Sequence, residues 1–140
     1  MKQILRFKVL CLIVTIMIFM TLYIVSKCYF SELYLFEWTE RHLYIGIWLV
    51  ALILIVYDKM KISFAITFGN LIGIFIGQFG GDLIREKNML KITSEMKPEN
   101  IYHLQHHPGV EIWILIIIFE VVLAMISNYV KKNRNINIQS

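Results

Sequence analysis

The chain is short of charge, proline and cysteine. Charged residues make up 17% of its 140 positions, and proline and cysteine occur twice each. So few charges exclude an ordinary soluble surface, since about a quarter of the residues in a typical soluble domain are charged. With no stretch rich in Pro, Gly or Ser, nothing separates two modules, and neither an internal repeat nor a low-complexity segment is present. A single integral membrane domain over 1–140 is expected. Cys11 and Cys28 sit near opposite ends of the first apolar run. On one helix they stand about 25 Å apart, too far to bridge. Neither suits a lipoprotein, because Leu10 and Lys27 occupy the preceding positions where a small residue is needed.

Catalytic signatures are also missing. There is no Ser or Cys set beside a matching His and acid, no phosphate loop, no dinucleotide fingerprint and no His-Glu-x-x-His pair. An enzyme is not expected.

What the chain does have is apolar surface: 58% hydrophobic residues and a mean hydropathy of +0.65. Its formal net charge is +4, but the 14 Lys and Arg residues form short clusters beside apolar runs instead of a basic stripe. That pattern reports membrane topology and not a nucleic-acid partner.

Four apolar runs predict an all-α bundle of four transmembrane helices, over 9–26, 43–57, 62–84 and 110–130. The first follows Lys2, Arg6 and Lys8. It is longer than the 7 to 15 apolar residues of a cleavable signal, and Lys27 follows it, so an uncleaved helix is expected. The second, Leu43 to Tyr57, spans only about 22 Å against a hydrocarbon core near 30 Å. It must borrow length from Leu33, Tyr34, Leu35, Phe36 and Trp38, with Arg41 and His42 reaching toward the headgroups. The short polar turn Asp58-Lys59-Met60-Lys61 implies an antiparallel hairpin into the third run. The fourth carries Glu120 at its midpoint. A central acid costs about 2.5 to 3.5 kcal/mol on insertion scales, and each large aliphatic neighbour returns about 0.3 to 0.6. Its aliphatic neighbours offset that cost.

Four spans place both termini on one side. Lys2, Arg6, Lys8, Lys59, Lys61, Lys131, Lys132 and Arg134 would then be cytoplasmic, eight of the 14 positive charges, whereas the two longer connections mix Lys and Arg with seven acids. Both ends are therefore expected in the cytoplasm of a cell-membrane protein. Tyr57 and Tyr129 suit an inner aromatic belt, and Trp38 and Trp113 an outer one.

The third run is the most distinctive. Gly69, Gly73, Gly77 and Gly81 recur every fourth residue and form one stripe. Such glycines weaken a helix in water by up to about 1 kcal/mol each relative to Ala, but in lipid they let a second backbone approach closely. A polar band of Ser63, Thr67, Asn70, Gln78 and Asp82 runs beside the stripe. This face is expected to form the bundle interior or a dimer seam; the alternative is a narrow polar path for an ion. With the third and fourth helices antiparallel, Asn70 and Glu120 lie at similar depth, and Glu120 is expected to donate to Asn70 or to a backbone carbonyl. An intramembrane acid is also a functional candidate, with proton-coupled transport its sharpest form.

The connection 85–109 offers a second constellation. Pro98 can open and Pro108 close a short extracytoplasmic helix, on which Glu99, His103 and His107 share one face at spacing four. That is zinc-ligand spacing, with His106 as a substitute ligand. The competing reading is an interfacial helix whose Ile101 and Leu104 face lipid and whose histidines face solvent. No other cofactor is implied.

The piece Thr67-Phe68-Gly69-Asn70-Leu71-Ile72-Gly73-Ile74-Phe75 resembles the Asn-x-x-Gly-x-Phe segment of the small four-helix fluoride channels. It covers under a tenth of the chain. The arginine-bearing early helix and the paired-phenylalanine helix of that family have no counterpart here, so the resemblance implies shared glycine packing and no family. The expected role is that of an accessory, immunity-type or assembly partner working through helix contacts in the bilayer, with itself or another membrane protein. The runner-up is a small transporter or channel using Asn70, Gln78 and Glu120.

Overall fold

A computed structural model describes residues 2–42 and 44–139, and side chains over 3–41 and 45–131. Leu43, the expected start of the second span, lies outside the described residues, as do the side chains of Lys2, His42, Lys132 and Arg134. The elements are α1 (Lys2–Tyr29), α2 (Tyr34–His42), α3 (Tyr44–Val56), α4 (Met60–Met89), α5 (Pro98–Gln105) and α6 (Gly109–Gln139). No strand occurs among the described residues.

Three helices are long and apolar enough to cross a membrane, over Gln3–Tyr29, Met60–Met89 and Gly109–Lys131. The second apolar run, expected as a span over 43–57, forms α3. Helices α2 and α3 are bent by 65° to one another, so the chain has three spanning helices, or four if that pair counts as one span. The polar run Glu40-Arg41-His42 ends α2, and the 13 residues of α3 reach only about 20 Å.

The turn between α3 and α4 has a defined cap. Asp58 takes φ 61°, the left-handed region. The amides of Lys59 and Asp58 donate to the carbonyls of Leu54 and Ile55 at 2.8 and 3.1 Å, the paired bonds of a Schellman motif. Asp58 also meets Lys8 Nζ at 2.7 Å, which joins the start of α1 to this turn.

Helix α4 is central. Its longest contact is with α6, and it also touches α1, α2, α3 and α5. Residues rising along α4 meet residues falling along α6, from Gly69 beside Ile117 to Gly77 beside Gly109, so the pair is antiparallel. The core comprises Phe19, Leu22, Leu35, Phe36, Ala51, Ile74 and Trp113. It is extended by Phe75, whose ring packs edge-on against those of Phe30 and Phe36. Leu10, Ile13 and Met17 of α1 and Leu115, Phe119 and Ile126 of α6 are exposed large apolar side chains. A lipid solvent accepts such a surface and water does not.

Candidate functional site

Gly69, Gly73, Gly77 and Gly81 of α4 face α6 and its approach. A Cβ on Gly69 would stand 3.2 Å from Ile117 Cα, and one on Gly73 3.0 Å from the Trp113 ring. On Gly77 it would come within 2.6 Å of the Gly109 carbonyl oxygen and 2.7 Å of Leu35 Cδ2. On Gly81 it would run into the His107 ring. At Gly77 and Gly81 no real Cβ would fit without a shift of its neighbours, and at Gly69 and Gly73 it would be tight.

Along the polar band of α4 the side chains are committed, and, apart from Thr67, which bonds back within α4, they reach other parts of the chain. Ser63 Oγ donates to the Ala51 carbonyl of α3 at 2.7 Å, and Thr67 Oγ1 back to Ser63 at 2.8 Å. Asn70 Oδ1 accepts from Trp113 Nε1 of α6 at 3.1 Å. Gln78 Oε1 accepts the Leu35 amide of α2 at 2.7 Å, while its Nε2 donates to Asp82 Oδ2 at 2.8 Å. Asp82 Oδ1 then lies 3.2 Å from His107 Nε2, and His107 Nδ1 accepts the Gly109 amide at 3.0 Å. Ser63, Thr67, Asn70, Gln78 and His107 are buried. An unmade bond at any of them would cost about 1 to 3 kcal/mol.

This chain of bonds settles the His107 tautomer. A ring nitrogen that accepts an amide proton carries none itself, so neutral His107 holds its proton on Nε2, directed at Asp82. Both nitrogens are engaged. The imidazole can lock the entry of α6 onto α4, but it offers no lone pair to a metal or a reacting proton unless one of these bonds breaks.

The structure corrects three expectations. Asn70 is bonded to Trp113 and not to Glu120. Glu120 lies at the same depth, its Cβ and Cγ next to Gly69, but it is only half-buried and makes no hydrogen bond among the described residues. Trp113 is no belt residue. It is 1% exposed, because Gly73 leaves room for the indole between the helices, with Trp38 edge-on against it at 6.2 Å. The trio Glu99, His103 and His107 is not assembled. Helix α5 stops at Gln105 and His106 turns to ψ 136°, so His107 leaves the helical face and packs against Gly81. Among the described residues no three His, Cys, Asp or Glu side chains are placed to hold a metal ion.

Two contacts had no clear signal in the sequence. His107 reaches Asp82 from 25 positions away, and His106 Nε2 meets Glu111 at 2.7 Å. The only hint was the pair of glycines, Gly81 and Gly109, flanking the space the imidazole fills. In comparisons with protein-family models, curated proteins and solved structures, no match to this chain is found.

Proposed function

We propose that this chain is a small non-catalytic protein of the cell membrane that works by helix contact, as an accessory, immunity-type or assembly partner of itself or of another membrane protein. One observation supports this reading above others: most of the α4 polar band is spent on internal hydrogen bonds among the described residues, so the band serves to clamp helices together. Helix α6, held almost entirely through α4, turns its other faces outward. The glycine ridge of α4 organises the monomer, and the outer side of α6 is the surface free to meet a partner.

Both termini are read as cytoplasmic, with α2 and α3 together making a fourth passage. The basic residues clustered near those ends support the orientation, and two ion pairs support the fourth passage. Lys8 meets Asp58 at 2.7 Å and Lys27 meets Glu40 at 3.7 Å. The two lysines are nineteen residues apart in α1, about 28 Å at 1.5 Å per residue, close to the roughly 30 Å of a bilayer core. Glu40 and Asp58 thus stand beside opposite ends of α1, as a fourth passage through α2 and α3 requires.

Photo-crosslinkers placed at Leu115 and Phe119 in native membranes test the contact reading. A discrete protein adduct is expected, and labelling confined to lipid would overturn it. One observation favours a second reading, proton-coupled transport: Glu120 is the intramembrane acid left without a bond among the described residues. Flux in proteoliposomes that disappears in Glu120→Gln, with the protein still folded and inserted, would establish transport in place of contact.

A further inference from the structure

At the end of the bundle where α4 leaves its apolar stretch, Tyr34, Arg85, Tyr102, Gln105, His106 and His107 surround a pocket of about 310 Å³. Pockets of this size hold small ligands. The charges around it are unevenly committed. Asp82 takes bonds from Gln78 and His107, and Glu111 from His106. Arg85 forms no ion pair among the described residues, and the acids Glu86 and Glu99 on the same helices are not among the lining. A guanidinium is thus the uncommitted charge of the pocket. The Tyr34 and Tyr102 hydroxyls and the Gln105 amide add neutral hydrogen-bond donors around it. One wall is rigid, since His107 is fixed by Asp82 and Gly109 and the Tyr34 ring lies 4.6 Å from it.

A cation would meet Arg85 and find neither nearby carboxylate unengaged. A tetrahedral oxyanion finds a planar fork that it can accept in two parallel bonds. We infer that this pocket binds a phosphate group, presented by a lipid headgroup or as free phosphate. The inference is independent of the contact reading, because it concerns the α4–α5 end of the bundle and not the outer side of α6.

Isothermal titration of the purified full chain in detergent micelles tests it, with short-chain phosphatidylglycerol and inorganic phosphate as separate probes. Arg85→Gln is expected to weaken binding about tenfold or more, the usual worth of a charged hydrogen bond. Arg41→Gln removes the same charge from α2, where Arg41 pairs with Glu37, and should leave binding unchanged. Displacement of the lipid by inorganic phosphate would identify the phosphate group alone as the ligand. Lipid binding that phosphate does not displace would identify the headgroup ester. Equal losses in both arginine variants would reveal diffuse charge attraction and overturn the site, as would failure of the wild type to bind either probe while its helical circular dichroism is intact.

Discussion

The backbone amide of Leu35 donates to the side chain of Gln78, 43 residues away, at 2.7 Å inside the core. One bond therefore ties the first turn of α2 to the middle of α4. It also determines what Gln78 can do for Asp82, because with Oε1 occupied its Nε2 is left to donate.

Replacing Gln78 with Leu keeps the volume but strands the Leu35 amide in the core and removes a donor from Asp82. A loss of about 1 to 3 kcal/mol is expected, read as a lower midpoint of thermal unfolding in detergent. An unchanged midpoint would mean that this bond does not hold α2 in place.

Glycines of similar sequence context should respond with opposite sign. Gly77→Ala drives a methyl into the Gly109 carbonyl and Leu35, an overpacking expected to cost about 1 to 3 kcal/mol or to split α4 from α6. At Gly46 a Cβ meets nothing within 4 Å, and at Gly80 it comes only to 3.9 Å from Ile112 Cδ1. Alanine at either is expected to be neutral or to stabilise by up to about 1 kcal/mol through helix propensity. Parallel melting curves for the three variants check this contrast.

Two tryptophans should likewise separate. Trp113→Phe removes the donor to buried Asn70 and is expected to cost about 1 to 3 kcal/mol, much of it recovered when Asn70→Leu is added. Trp48 stacks on Phe19, with centroids 6.0 Å apart, but its buried Nε1 has no partner among the described residues. Trp48→Phe should therefore be close to neutral or stabilising. A double-mutant cycle at 70 and 113, with Trp48→Phe as the reference, measures both.

His107 should be observable as a single tautomer. Nitrogen-15 spectra of histidine-labelled protein at neutral pH are expected to show one ring protonated at Nε2 with Nδ1 bare, because Nδ1 takes the Gly109 amide. Added zinc should leave that ring's shifts in place, since both of its nitrogens are engaged. Zinc-induced shifts at His103 and His107 together would restore the discarded trio.

The left-handed cap at Asp58 gives a third contrast between variants. Asp58→Gly keeps φ 61° accessible and loses only the ion pair with Lys8, which is partly exposed and worth at most about 1 kcal/mol. Asp58→Val forces a β-branched residue into the left-handed region and should cost more. Denaturation midpoints of the two variants give the order.

Helix positions and the chain's preference for lipid were written in local information. Apolar runs of spanning length identified α1, α4 and α6, and Pro98 marked the start of α5, because hydropathy and helix breakers act within a turn or two of the residue that carries them. The every-fourth-residue spacing of Gly69, Gly73, Gly77 and Gly81 put them on one side of α4 for the same reason. Which atoms they meet was decided in three dimensions. Asn70 chose Trp113 over Glu120, and His107 left its helix to reach Asp82. Helices α2 and α3 meet at a 65° bend. Each of these outcomes depends on side-chain reach and on where a helix stops, and neither is encoded in a pattern of polar and apolar letters until the partner helix is in place.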